Sequence, residues 1–200
     1  MLINEKILAT SSEQELVRRM QSGDAGAFEG IVTVFKDMVY NTVIGIVQDA
    51  ADAEDISQEV FVQVYESIRS FRGDAKFSTW LYRIAVTRSL DHLRKKKRKK
   101  RWGLVSGLFG GAAEEEISLP DFEHPGVTLE NKERAAVLFY AIRQLPEKQQ
   151  AAFVLQQLEG LSLKEISEVL ETSVAGVEGL LHRGKEQLRK KLGVYYKSLD

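Results

Sequence analysis

The chain has 200 residues, 44% hydrophobic and 28% charged, enough to bury a core and too apolar for disorder. It has no cysteine, which excludes disulfides, a thiol nucleophile, Fe–S clusters and Cys-ligated zinc, and its three histidines, His92, His124 and His182, are far apart, which argues against a histidine-rich metal site. The formal net charge of −1, from 28 Lys+Arg against 29 Asp+Glu, excludes only a uniformly basic nucleic-acid binder.

With 3 Pro and 15 Gly, the composition favours helices over a many-turned sandwich or barrel. Ser12 and Glu15 fit a capping box that opens a short helix through Met20. Ser22-Gly23-Asp24 breaks it, and Asp24 caps a second helix from about Ala25 to Val47, with Phe28, Ile31, Val32, Phe35, Val39, Val43 and Ile46 at helical spacing. After an acidic break at Asp49–Asp52, a third helix runs to about Ile68 on the stripe Ile56, Val60, Val64, Ile68, with Phe61 and Tyr65 beside it. Ser70 to Lys76, with Arg72-Gly73-Asp74, is a loop. A fourth helix starts near Ser78, carries Leu81, Ile84, Ala85 and Leu93, and continues into the basic run Arg94–Arg101.

Residues 102–130 have no sustained period; their glycines, glutamates and two prolines predict a flexible acidic linker. Beyond it, helices are expected at about Leu129–Gln144, from Pro146 to Glu159 with a stop at Gly160, at Leu163–Leu170, and from Val174 to about Leu192, closed by Gly193. Ser162 and Glu165 form a second capping box, with Leu161 and Ile166 as its staple. The fold class expected is all-α: two small helical domains joined by a flexible acidic linker, the second with a helix-turn-helix. The expected boundaries are 1–101, 102–129 and 130–200.

The near-neutral total hides a segmented distribution. Residues 1–66 hold 12 acids and 4 bases, 83–101 hold 1 acid and 10 bases, 112–135 hold 7 and 2, and 174–197 hold 2 and 6. Because screening confines charge effects to about 8–10 Å, each basic segment can attract phosphate on its own. The eight consecutive bases RKKKRKKR repel one another unless a polyanion lies near, so Arg94, Lys95, Lys96, Lys97 and Arg98 are expected to contact phosphate. A solvated helix end is the plainer alternative.

Leu161 to Leu192 has the pattern of a helix-turn-helix: a short capped helix, a three-residue turn and a longer helix with a basic end. A helical hairpin that never meets DNA has the same outline, but here caps, turn and basic tail coincide. The groove-facing candidates are Ser173, Ala175, Gly176, Glu178, Gly179, His182 and Arg183, with Lys185, Arg189, Lys190 and Lys191 near phosphates. Glu178 would repel phosphate or accept from a cytosine amino group. His182 touches DNA or is an ordinary half-exposed histidine.

Both halves resemble bacterial RNA polymerase sigma factors. Asp52–Leu93, with the run SFRGDAKFSTWLYRIAV, resembles their second conserved region, and Leu145–Leu192 their fourth. The absence of the intervening region points to the extracytoplasmic-function (ECF) group. The resemblance implies a non-enzymatic initiation factor without cofactor or metal. Its implied partners are core RNA polymerase, promoter DNA and an anti-sigma regulator. No apolar run suits a signal peptide or membrane span, so a cytoplasmic location is expected.

By the same resemblance, Asp55, Gln58 and Glu59 on one helix face dock on a basic coiled coil of the polymerase, and the loop and start of the fourth helix read the minus-ten element. Phe71, Lys76, Phe77, Trp80, Arg83, Thr87 and Arg88 are the residues available there for stacking and phosphate contact. For Phe77 and Trp80 the default reading is core, and Trp80 is read as structural ahead of a base contact. The helix-turn-helix would read the minus-thirty-five element. The linker would follow the RNA exit channel, where Glu114–Glu116 either mimic nucleic acid or merely tether. Three features depart from the family pattern: Glu178 where many members carry a base, an unusually long basic run, and a Gly-rich apolar start to the linker at Trp102–Phe109. An ordinary helix-turn-helix regulator is the main alternative, and an enzyme using Asp55 and Glu59 a more distant one.

Overall fold

A computed structural model describes residues 13–105 and 132–197. Within them the helices are α1 (13–21), α2 (Ala25–Val47), α3 (Ala50–Ser67), α4 (Phe77–Val105), α5 (Lys132–Arg143), α6 (Glu147–Gln157), α7 (Leu163–Val169) and α8 (Val174–Lys197). A 3-10 turn, Ile68–Ser70, extends α3. Ser12, the linker glutamates and Phe109 lie outside the described residues.

Local chemistry sets the boundaries. The Asp24 carboxylate accepts from the Gly26 amide at 2.9 Å and pairs with Arg19. Gln48 ends α2 in the left-handed region (φ 56°), and Asp49 then accepts from the Asp52 amide at 3.0 Å. The expected acidic break at Asp49–Asp52 is therefore only two residues long, and α3 begins at Ala50 rather than after Asp52. Gly160, at φ +69°, ends the α6 segment where an L side chain would be strained, and the Leu161 amide reaches back to the Leu155 carbonyl at 3.0 Å. Ser162 and Glu165 make both halves of their capping box. Two helices outrun their expected ends: α8 passes through Gly193 to Lys197, and α4 passes Arg101 to Val105. A glycine in a helix costs only about 1 kcal/mol, so it need not stop one.

Two hydrophobic cores form. Helices α1–α4 enclose Ile31, Val39, Val43, Val60, Val64 and Leu81. Helices α5–α8 enclose Ile142, Leu155, Ile166, Val177 and Leu181. The second core also takes Ile46 from α2 and Val86 and Leu90 from α4, so the two bundles pack directly on one another. Each such side chain contributes about 1.5–3 kcal/mol when fully buried. α2 is long and apolar enough to cross a membrane by composition alone; here Thr42 to Gln48 are buried within the protein, Val43, Ile44 and Val47 in the first core and Ile46 in the second.

Replacing Ser162 by Ala removes the box that starts α7. The expected loss is about 1 kcal/mol, read as a lower midpoint in urea unfolding with unchanged slope.

Candidate nucleic-acid interface

The start of α4 is fixed from a distance. The Glu13 carboxylate accepts from the Ser78 amide at 3.2 Å, capping α4 rather than its own helix. The Gln21 amide donates to the Ile68 and Phe71 carbonyls at 3.1 and 2.8 Å and so holds the preceding loop. Phe71, Phe77 and Trp80 form one aromatic cluster, with ring centroids 5.3–5.6 Å apart. Phe77 is 3% exposed and also meets Phe35, so its ring is core and is not available to a base as described. Phe71 and Trp80 are half-buried above it.

Lys76, just before α4, and Arg83 and Thr87 on it follow one another at helical spacing. Thr87 is exposed. The other two are engaged by the second bundle. Lys76 Nζ lies 3.0 Å from Glu165 Oε1. Arg83 donates to the Glu168 carbonyl at 2.6 Å and pairs with Glu171 at 3.0 Å. Between them the Tyr82 hydroxyl donates to Glu159 at 3.0 Å. Burial raises both the Tyr82 and the Glu159 pKa above their ordinary values, and the Glu159 charge pushes Tyr82 further. Glu165 is held down at about 2, chiefly by Ser162 and then by Lys76.

On α3, Asp55, Gln58 and Glu59 are exposed on one face, and so are Val62 and Tyr65. Arg88 donates to Gln63 at 2.6 Å and lies 3.6 Å from Glu59, tying the reading helix to this face. In the basic run, Arg94 pairs with Asp91 at 3.0 Å and with Glu147 of α6 at 2.7 Å. Lys96 bonds Asp52 at 2.8 Å, and His92 lies 3.0 Å from the same carboxylate. Burial works against the ionised Asp52, but Lys96 and His92 together outweigh it and lower its pKa. Lys95, Lys97 and Arg98 are exposed. Two of the five expected phosphate ligands are thus engaged by carboxylates in this conformation.

On α8, Ser173 Oγ accepts from the Gly176 amide at 3.0 Å, while Val177, Leu181 and Leu188 face the core. Ala175, Glu178, His182, Arg183 and Lys185 point outward and are exposed. His182 lies 3.9 Å from Glu186, too far for a hydrogen bond. Gly176 and Gly179 are half-buried. A Cβ on Gly176 would come within 2.6 Å of Thr172 Oγ1, so the glycine gives the turn room to close.

Two family models match: Sigma-70 region 2 over residues 31–99, and Sigma-70, region 4 over residues 135–188. The chain is a member of the ECF sigma factor family. It is 37% identical to the ECF sigma factor SigW of Bacillus subtilis over 177 residues, covering 88% of this chain and 94% of that one. It is 33% identical to the sigma-H factor of Pseudomonas aeruginosa (93% and 96% covered) and 32% to the sigma-E factor of Escherichia coli (90% and 94%). The fold is similar to that of CnrH solved with the cytosolic domain of CnrY, with a TM-score of 0.65 at 21% identity over 92% of this chain and 98% of that one. It is also similar to RpoE of Bartonella quintana solved with the anti-sigma factor NepR, at 0.64 and 17% over 84% and 97%. Sigma factors serve promoter-specific initiation of transcription and are not enzymes; the polymerase supplies the chemistry.

In this sigma factor the sequence reading missed Tyr82, Glu159, Glu168, Glu171 and Gln150. A second row on α4, Tyr82, Val86, Leu90 and Leu93, was the available signal, since it marks an apolar side in addition to the one used by Leu81, Ile84 and Ala85.

The Glu165 cap carries a pH dependence. Its folded pKa of about 2 lies below the ordinary 4.5, so its stabilisation is complete above about pH 4.5 and is lost as pH falls towards 2. Unfolding midpoints measured across this window are expected to fall less steeply for Glu165→Gln than for the wild type.

Proposed function

We propose that the α1–α4 bundle opens and holds the minus-ten element, that the α7–α8 helix-turn-helix reads the minus-thirty-five element as duplex, and that the exposed α3 face docks on core RNA polymerase. The observation that carries the first assignment is the row Lys76, Arg83, Thr87 at and along the start of α4, with the half-buried rings of Phe71 and Trp80 at the same end. A melted strand needs stacking surfaces and cations at this spacing. Phe77 supports those rings from below. Arg88, next to Thr87 in the chain, reaches DNA when released from Glu59 and Gln63.

Asp55 and Glu59 offer charge to a basic partner, Gln58 offers a hydrogen-bonding amide, and the neighbouring Val62 and Tyr65 offer apolar area. On α8, Ala175, Glu178, His182, Arg183 and Lys185 are the reading set; Lys95, Lys97 and Arg98 contact phosphate. The division into 1–101, 102–129 and 130–200 puts minus-ten binding and core docking in the first segment and duplex reading in the third, with the second joining them, and a cytoplasmic location goes with this work. The two solved relatives bound to CnrY and NepR support an anti-sigma protein as regulator.

Run-off transcription with purified core polymerase tests the whole reading. Promoter-specific initiation on a genomic fragment is expected; neither initiation nor core binding would overturn it. Lys76→Ala and Arg83→Ala are each expected to lower open-complex formation about tenfold, ~1.4 kcal/mol, with core affinity unchanged. Glu59→Lys should do the reverse, weakening core binding first. Glu178→Ala is expected to change preference at one base pair of the upstream element by about 1–3 kcal/mol in a competition assay over all four bases.

A further inference from the structure

Helix α1 holds both ends of the segment that joins α3 to α4. At its C-terminal end the Gln21 side-chain amide donates to the Ile68 carbonyl at 3.1 Å and to the Phe71 carbonyl at 2.8 Å. At its N-terminal end the Glu13 carboxylate accepts from the Ser78 amide at 3.2 Å, in the first turn of α4. An amide in that turn has no helical acceptor of its own. Between these points, from Arg72 to Ala75, no backbone hydrogen bond is made among the described residues. Arg72, Gly73 and Asp74 are exposed, and Gly73 turns the chain at φ +78°. The shape of the loop is therefore imposed at its ends. α1 can impose it because α1 is itself fixed. Val17 and Met20, each 5% exposed, sit in the first core, and Leu16 lies over Gly30 of α2, where a Cβ would come within 2.8 Å of Leu16 Cδ2. Phe71 is also the residue whose ring packs on Phe77 and Trp80, so the bond to its carbonyl places a stacking surface as well as the chain.

We propose that α1 is the positioning element of the minus-ten reader: Gln21 and Glu13 hold the loop Ser70–Lys76 and the start of α4 in the shape that a melted strand meets. This rests on the minus-ten assignment above. Both residues act through the backbone of others and need touch no DNA. A loop without bonds of its own is ordered anew by each strand it binds, which costs affinity and blurs the difference between bases. A loop held at two carbonyls and one amide is ordered beforehand. The hold uses backbone atoms only, so it leaves the exposed side chains of Arg72 and Asp74 to meet the strand.

The test uses full-length variants with core polymerase. Gln21→Met keeps the length of the side chain and removes both donors. Glu13→Ala removes the cap on α4, and Glu13→Gln keeps an acceptor there. Arg18→Ala, on the exposed side of α1, is the control. Open-complex formation is measured on the promoter that supports run-off, and on the same promoter with each minus-ten base replaced in turn, with core affinity alongside. Gln21→Met and Glu13→Ala are each expected to lower opening on the unaltered element about tenfold and to shrink its advantage over the replaced elements by a similar factor, at unchanged core affinity. Glu13→Gln and Arg18→Ala are expected to behave as wild type. A purely structural role lowers the urea midpoint and leaves the advantage over replaced elements as it was; that result overturns the proposal, as does a loss of core affinity equal to the loss of opening. If Lys76→Ala and Arg83→Ala impair opening while Gln21→Met and Glu13→Ala do not, the positioning role alone fails. If all four leave opening unchanged, the minus-ten assignment fails with it.

Discussion

Helix α4 has two apolar sides, and the arrangement of the molecule depends on that. One side, Leu81, Ile84 and Ala85, closes the first bundle; the other, Val86 and Leu90 with Tyr82 and Leu93 beside them, belongs to the second core. A helix apolar on one stripe can serve one bundle only. α2 completes the junction with a turn that is buried all round, and its Gly45 lets α6 approach without a side chain between them. Burial of apolar area is non-directional, so it is the Gln150 hydrogen bond and the glycine contact that give the junction one register.

Charge follows the same junction. The chain is nearly neutral in sum, yet the bases of the first bundle face the acids of the second across it. Exposed pairs of this kind contribute about 0–1 kcal/mol each. They therefore orient the bundles more than they hold them. The segmentation of charge thus has a structural side as well: acids of the second bundle meet bases of the first.

Much of the local structure was legible in advance because its causes are local. The bounds of α2, the Ser162–Glu165 capping box, the turn at Gly160 and the helix-turn-helix depend on residues within four positions of one another. Ends set by weak or distant effects were less legible: α8 passes Gly193 because one glycine is a small cost, and α4 is capped by Glu13 from 65 residues away. The candidate site divides in the same way. Outward positions on α8 follow from helical period, whereas the turn role of Gly176 and the core role of Phe77 depend on what packs against them.

By itself the sequence determined a helical sigma factor of the ECF group, with its elements, its basic and acidic segments and the positions at which its helices turn their side chains outward. Those properties follow from periods of three and four residues, from caps and from motif spacing, all written along the chain. Only the tertiary structure decided that Lys76 and Arg83 meet Glu165 and Glu171, that Gln150 satisfies Ile46, and that the second bundle lies over the first. These partners are 88 to 104 residues apart, and a pairing at that distance is chosen by which buried faces fit together, for which no local spacing exists.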